Sequence, residues 1–150
     1  MTGTVLDLLQ FKKGPLHSVA PDCSVSVAIG IMNSQNIGSV LVLDRERLVG
    51  IFTERDVLTR VAAAGKPLGV PVGAVMTSLP LVVSPDMPIA DAMRLMSSRR
   101  CRHLPVVEKG KVINLISAGD IMRHAIQALE FEVENLRSYV QNGAAVAFVS

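Results

Sequence analysis

The chain contains the same segment twice. Shifting residues 19–60 forward by 64 positions (19 to 83) places Val19-x-Pro21-Asp22 on Val83-x-Pro85-Asp86 without a gap. The match continues to the end of the segment, where Thr53-x-x-Asp56 falls on Ser117-x-x-Asp120. A repeat of fixed spacing dictates the architecture of a chain. Because only two copies are present in 150 residues, we expect a pair of packed units rather than a solenoid.

Each copy is predicted to contain strand, helix, strand, strand and helix in that order. In the first copy Ser24 is placed to cap a helix, and a second helix begins after Thr53 and stops at Gly65. The predicted strands are Ser18–Ala20, Ser39–Leu43 and Leu48–Phe52 in the first copy, and Leu81–Ser84, His103–Val107 and Lys111–Ile116 in the second.

The fold class that follows is α/β (α+β), with two pseudo-symmetric βαββα repeats packed sheet to sheet. Each half-sheet has helices on one side, so its other face must be covered by the other copy, which creates clefts between them. The predicted boundaries are 1–68 for the first repeat with its N-terminal segment, 69–125 for the second repeat, and 126–150 for a helical extension and tail.

The last helix is predicted to run from about Ala118 to about Gln141 and carries an apolar stripe. Its members alternate four and three residues apart, which is typical of a seam against another helix; they are Met122, Ile126, Leu129, Val133, Leu136 and Val140. The pattern leaves two alternatives open. The stripe docks on its own domain, or it pairs with a second subunit.

Composition argues against several classes of protein. Apolar residues make up 49% of the chain and charged residues 19%, which is typical of a globular protein, and no apolar run is long enough to span a membrane. A net charge of +2 and five aromatic residues offer little to nucleic acid, so we do not expect nucleic-acid binding. The start of the chain has no secretory signal, and the unmatched Cys23 and Cys101 are interpreted as buried thiols, so we expect a cytoplasmic protein.

The two copies together resemble a tandem of CBS domains, named after cystathionine β-synthase. The matching segments include Ile37–Val42, Gly50–Asp56, His103–Val107 and Ser117–Asp120. The resemblance extends from about Val5 to His124 and occurs twice with the same spacing, so the chain is similar to stand-alone CBS pairs. It implies a regulatory module that binds adenosine-containing ligands (AMP, ADP, ATP, S-adenosylmethionine or an NAD-like dinucleotide) between its repeats. It also implies a homodimer and an unidentified regulated protein as partner.

The same resemblance implies roles for individual residues. Asp56 and Asp120 would bond ribose hydroxyls, whereas Thr53 and Ser117 would contact phosphate. Ser39 and Val40 would border the adenine through their backbone. The leading glycine of the motif is Gly50 in the first copy but Asn114 in the second, so the second site is expected to be narrower or differently tuned.

The chemistry of these residues suits such a ligand, but a purely structural alternative exists. Two carboxylate oxygens can accept both ribose hydroxyls, and a hydroxyl at a helix N-terminus suits phosphate. Ser/Thr-x-x-Asp is also close to a capping box, in which the pair satisfies its own helix end. Both uses remain open at this point.

A basic cluster precedes the second hairpin and consists of Arg99, Arg100, Arg102 and His103. We expect Arg102 or His103 to reach a ligand phosphate. The alternative is a solvated helix C-terminus, where cations are favoured.

No catalytic pattern is present in the sequence. The three histidines and two cysteines lack metal-binding spacing, and there is no nucleophile elbow, Walker loop or dinucleotide fingerprint. We therefore expect neither an enzyme nor a metal site, and no required cofactor beyond an adenosyl ligand. The alternative function is a ligand-free interaction module that dimerises through its long last helix.

Overall fold

The structure is a computed structural model that describes residues 2–12 and 14–149, with side chains as far as Gly143. The helices are α1 (Val5–Gln10), α2 (Val25–Gln35), α3 (Glu54–Asp56), α4 (Ile89–Arg99) and α5 (Ala118–Val149), with a π-helical segment at Val57–Ala62 and a 3-10 turn at Val72–Ala74. The strands are β1 (Ser18–Val19), β2 (Ser39–Asp44), β3 (Arg47–Thr53), β4 (Thr77–Ser78), β5 (His103–Glu108) and β6 (Lys111–Ser117).

The strands form two sheets whose hairpins are equivalent. The first sheet has the order β1-β2-β3-β4, in which β1 runs parallel to β2, and the second consists of β5 and β6. Ser39 pairs with Thr53 in one hairpin and His103 pairs with Ser117 in the other. Both pairings slip at the same place, after Val42 and after Val106. The repeat in the sequence is therefore a repeat in backbone geometry.

The two sheets face each other across a small apolar layer. Leu41 and Ile51 from the first sheet pack with Leu115 from the second, and all three are buried. Two larger cores lie on the far sides of the sheets, one for each copy. The predicted fold class, two repeats packed sheet to sheet with a C-terminal helix, is confirmed.

One predicted strand is wrong. Residues 81–84 form only a single parallel bridge, between Val83 and Val106, where the first copy has the two-residue strand β1. In the first copy Leu41 N–H donates to the His17 carbonyl at 3.2 Å. The equivalent residue in the second copy is Pro105, which has no N–H to donate, so the ladder cannot extend to Leu81.

The helices of the first copy largely follow the predictions. Ser24 caps α2, because its hydroxyl oxygen accepts a hydrogen bond from Val27 N–H at 3.3 Å. The helix that begins after Thr53 is a single α-helical turn, α3, followed by the π-helical segment. The backbone then turns at Gly65, where φ is +66°, a conformation that glycine adopts readily.

The last helix differs from the prediction in where it ends. It does not end near Gln141, because Asn142 and Gly143 lie inside α5. Helix propensity is a weak preference, and a single glycine costs only about 1 kcal/mol relative to alanine. Of the two alternatives left open for the stripe, docking on its own domain is not observed, since its six members are all exposed: Met122, Ile126, Leu129, Val133, Leu136 and Val140.

The N-terminal segment and the segment between the copies each pack on the opposite copy. Val5 and Leu8 of α1 belong to the second core, and Val5 N–H donates to the Met87 carbonyl at 2.8 Å. Val72 belongs to the first core, where its N–H donates to the Cys23 carbonyl at 2.8 Å. The boundaries at 68 and 125 stay predictions. Residues on each side of the boundary at 68 pack into the core of the copy on the other side.

Across the residues that the structure describes, no helix is sufficiently long and apolar to cross a membrane.

Candidate functional site

A cleft of about 620 Å³ lies between the two copies. One wall comes from the first copy, from the segment around β1 and the entry to β2, and the other comes from the end of β6 and the first turns of α5. Its polar lining includes Lys12, His17, Ser39, His103, Ser117, Asp120, Arg123 and His124. Its apolar lining includes Leu8, Phe11, Leu16 and Ile37.

Ser117 and Asp120 sit at the mouth of α5, where they cap the helix and also line the cleft. Asp120 N–H donates to the Ser117 hydroxyl oxygen at 3.1 Å, and Ser117 N–H donates to Asp120 Oδ2 at 2.8 Å. Asp120 keeps 12% of its side chain exposed. The capping alternative is therefore observed at this pair, and its position in the cleft leaves the binding alternative open.

Two cations that the sequence analysis missed hold the Asp120 carboxylate. Lys12 Nζ donates to Oδ2 at 2.9 Å and also bonds the Leu115 carbonyl, and Arg123 pairs with Oδ1. Arg123 follows Asp120 by three residues on one helix, so helical spacing could have found it. Lys12 is 108 positions away, and no local pattern links it to Asp120.

These contacts set the charge of Asp120. Burial alone would raise its pKa, but the hydrogen bonds from Lys12 and from Ser117 outweigh burial and hold the pKa below its usual range. The carboxylate is therefore ionised at neutral pH and presents an acceptor inside the cleft.

His103 lies beside this pair, at the start of β5, and is partly buried. Its pKa is lowered to about 4, chiefly by burial and then by the positive charges of Lys12 and Arg102, against a smaller opposing effect of Asp120. At neutral pH the imidazole is uncharged and can donate one hydrogen bond and accept another. His17 and His124 line the same cleft, and the His124 ring lies 6.5 Å from that of Phe11.

The equivalent acidic residue of the first copy is sealed from solvent. Asp56 is 4% exposed. Its Oδ2 accepts hydrogen bonds from Thr53 N–H at 3.0 Å and Thr53 Oγ1 at 3.3 Å, and its Oδ1 accepts one from Thr77 Oγ1 at 3.1 Å. Arg60 Nε lies 3.5 Å from Oδ1. These contacts satisfy the carboxylate within the protein, and Asp120 lines the cleft whereas Asp56 does not, so the two acidic residues are not equivalent.

Four of the eight residues predicted for the site meet in the cleft, and four do not. Ser39, His103, Ser117 and Asp120 line it. Thr53 and Asp56 form the sealed cap described above. Val40 is fully buried in the first core, and the Arg102 side chain is exposed outside the cleft, as are those of Arg99 and Arg100.

The exchange of glycine for asparagine has a packing explanation. A Cβ on Gly50 would lie 2.9 Å from the Thr77 carbonyl oxygen and would collide with the Met76 side chain, so glycine admits β4 beside β3. Among the described residues, the second sheet has no such third strand. Asn114 instead lines the cleft, where its Oδ1 accepts a hydrogen bond from Leu115 N–H at 2.8 Å.

The histidines, acidic residues and thiols do not form a metal centre in the part of the chain that the structure describes. Within residues 2–12 and 14–149, no three His, Cys, Asp or Glu side chains gather in a way that could hold a metal ion. Cys23 and Cys101 are free thiols and are half-buried rather than fully buried, and burial is the main cause that raises the pKa of each.

Comparisons with known proteins agree with this geometry. The chain is 32% identical over 128 residues to the mitochondrial CBS domain-containing protein CBSX3 of Arabidopsis thaliana. The matched region covers 81% of this chain and 62% of the length of CBSX3. A protein with CBS domains from Burkholderia ambifaria superposes with a TM-score of 0.81 at 34% identity, over 83% of this chain and 95% of that one. CBSX2, crystallised in complex with AMP, superposes with a TM-score of 0.71 at 30% identity, over 83% and 97%.

The family model for the CBS domain matches residues 10–63 and again residues 72–127. These two ranges contain both hairpins and both Ser/Thr-x-x-Asp motifs. The chain therefore belongs to the CBS domain family and carries two CBS domains in tandem.

Proposed function

We propose that this CBS pair is a regulatory module that binds an adenine nucleotide in the cleft around Asp120. The observation that carries the proposal is the convergence of Ser39, His103, Ser117 and Asp120 on one cleft between the copies. The crystal structure of CBSX2 with AMP, at 30% identity, supports an adenosyl ligand. A cleft of about 620 Å³ falls within the usual range for small-molecule sites.

The charges of the cleft favour a ligand that carries phosphate. Lys12 and Arg123 place two positive charges against the single negative charge of Asp120. The N-terminus of α5 adds the positive end of a long helix dipole. An excess of positive charge disfavours the sulfonium of S-adenosylmethionine and favours a nucleoside phosphate.

The parts of such a ligand match the parts of the cleft. The ribose hydroxyls would donate to Asp120, which is ionised, and the phosphate would accept from Lys12, Arg123 and the Ser117 hydroxyl. The base would lie against the apolar lining around Leu16 and Ile37, near the Ser39 backbone. Because the cleft has one wall from each copy, a bound nucleotide would tie them together and shift a conformational equilibrium that a partner can sense.

The proposal places one ligand on each chain. The second pseudo-equivalent position is centred on Asp56, which is buried, hydrogen-bonded by Thr53 and Thr77, and does not line the cleft. We do not propose the alternative of a ligand-free interaction module, because a structural neighbour at 30% identity holds AMP. A homodimer, a cytoplasmic location and a regulated protein partner remain proposals.

Calorimetric titration with adenosine, AMP, ATP, NAD and S-adenosylmethionine tests the function. We expect saturable binding of AMP at one site per chain, with at least about a tenfold loss of affinity in Asp120→Asn, as expected for a lost charge-assisted hydrogen bond. Asp91→Asn, which changes an exposed carboxylate on α4, is the matched control and should bind as the wild type does. The absence of binding across the panel, or equal losses in both variants, would refute the proposal.

A further inference from the structure

Helix α5 leaves one apolar face uncovered along most of its length. The six side chains that form it, here called the α5 seam, have exposed fractions between 45% at Val133 and 65% at Val140; they are Met122, Ile126, Leu129, Val133, Leu136 and Val140. The seam extends over about 27 Å, from 18 residues at 1.5 Å each. An apolar ridge of this length facing water indicates an interaction surface.

The seam has the residue preferences of a two-stranded coiled coil. Assigning Ile126, Val133 and Val140 to heptad position a puts Met122, Leu129 and Leu136 at position d. β-Branched residues at a with leucine at d favour parallel dimers over trimers and tetramers. The next d position is Gly143, which has no side chain to pack, so the seam ends at Val140.

We propose that two copies of this chain pair along the α5 seam as a parallel, in-register coiled coil. The occupant of the seam is thus a second copy of the same helix. This inference does not depend on ligand binding in the cleft.

The charges beside the seam select the parallel orientation. Glu132 occupies position g, and Arg137 occupies position e of the following heptad. In a parallel dimer g lies next to the e position five residues later on the other chain, so Glu132 pairs with the partner's Arg137, twice by symmetry.

In an antiparallel dimer whose two seams overlap completely, each e position faces an e position of the partner and each g position faces a g position. Glu130 then faces the partner's Glu130, Glu132 faces the partner's Glu132, and Arg123 faces the partner's Arg137. Every one of these contacts joins like charges, which are destabilising. The flanking residues therefore support one orientation and oppose the other.

The parallel arrangement places both folded bodies at the same end of the assembly. Asp120 and Arg123, which line the cleft, lie within one turn of Met122, the first residue of the seam. The start of the coiled coil is therefore continuous with the wall of each cleft.

Sedimentation equilibrium of the full chain tests the seam. Val133→Glu puts two like charges against each other at the centre of the interface, and we expect the dissociation constant to rise at least about 100-fold. Phe131→Glu is the matched control, because Phe131 is 70% exposed on the same helix but at position f, away from the seam. Its dissociation constant should remain within about twofold of the wild type. The proposal is overturned if the wild-type chain is monomeric at about 100 μM, or if Val133→Glu keeps the wild-type mass.

Charge reversal tests the orientation. In a parallel dimer, Arg137→Glu and Glu132→Arg should each weaken association, by about threefold to tenfold, and the double variant should return to within about threefold of the wild type. In the antiparallel dimer, Arg137→Glu would face the partner's Arg123 and strengthen association. A stronger dimer in Arg137→Glu, or no recovery in the double variant, overturns the parallel arrangement. Far-ultraviolet circular dichroism confirms that each variant remains folded.

Discussion

The ammonium of Lys12 lies 2.9 Å from the carboxylate of Asp120, although 108 positions separate the two residues along the chain. This ion pair joins the segment that follows α1 to the first turn of α5, and both residues line the cleft. A ligand that donates its ribose hydroxyls to Asp120 must therefore share that carboxylate with a cation. The pair thus couples the N-terminal segment to whatever occupies the cleft.

Replacing Lys12 should change the discrimination between nucleotide and nucleoside. Lys12→Met installs the residue found at the equivalent position of the other copy, Met76, and removes the positive charge. We expect the affinity for AMP to fall about tenfold, because a charge-assisted hydrogen bond contributes about 1.5–3 kcal/mol, while the affinity for adenosine holds or rises. Calorimetry with both ligands measures the ratio. Parallel losses for adenosine and AMP would contradict a phosphate contact by Lys12.

Asp56 should matter for stability rather than for binding. Asp56→Ala removes the cap at Thr53 and the hydrogen bonds from Thr77, inside the protein. We expect the free energy of unfolding to fall by about 2 kcal/mol, measured by urea denaturation, with the affinity for AMP within about threefold of the wild type. A large loss of affinity with little loss of stability would move the ligand to Asp56.

His103 should make the protein less stable as the pH falls below about 6.5, the ordinary pKa of a solvated histidine. Its pKa is about 4 in the folded protein, so between these two values the unfolded chain binds a proton that the folded chain does not. Stability therefore rises with pH through this window and levels off above it. The full effect is at most about 3 kcal/mol, from about 1.36 kcal/mol per pKa unit.

Urea denaturation at several pH values, with His103→Gln beside the wild type, measures this effect. The variant should have a flatter dependence between about pH 4 and pH 6.5. The ionisation of Asp120 contributes little above about pH 5, because its pKa lies below the ordinary value of 3.8 in the folded protein, so the upper part of the window reports on His103. An unchanged slope in His103→Gln would assign the dependence to another group.

Gly50 and Asn114, which lead the motif in the two copies, should respond differently to replacement by alanine. Gly50→Ala places a Cβ 2.9 Å from the Thr77 carbonyl, a backbone atom that cannot move without disturbing β4. We expect a loss of about 1–3 kcal/mol, as for other overpacked sites. Asn114→Ala, the matched change in the second copy, should cost less than about 1 kcal/mol, since Asn114 lines an open cleft. Thermal unfolding compares the two, and equal losses would refute the packing explanation.

Several elements of the fold were predictable because their causes are local. Each depends on residues that are close together in the chain; examples are the Ser24 cap, the turn at Gly65 and both hairpins. The loss of a strand around Val83 was not predictable in this way, because its cause is Pro105, on the neighbouring strand. The passage of α5 through Asn142 differs from the prediction because a weak propensity does not suffice to stop a helix.

The candidate site likewise has some features that the sequence could predict and others that it could not. Ser117 and Asp120 could be chosen because they recur at a fixed spacing and lie on one helix end. The sequence did not distinguish Asp120 from Asp56, since both fit the same motif. Thr77 seals Asp56, whereas the second copy places Asp120 beside an open cleft.

By itself the sequence determined that two equivalent units must pack together, because an apolar periodicity repeated 64 residues apart (19 to 83) specifies the same local structure twice. Only the tertiary structure decided that one of the two acidic residues faces a cleft, that Lys12 meets it, and that the seam of α5 is left uncovered. These outcomes depend on contacts between residues distant in the chain, and such contacts follow from how the units pack rather than from the pattern within either one.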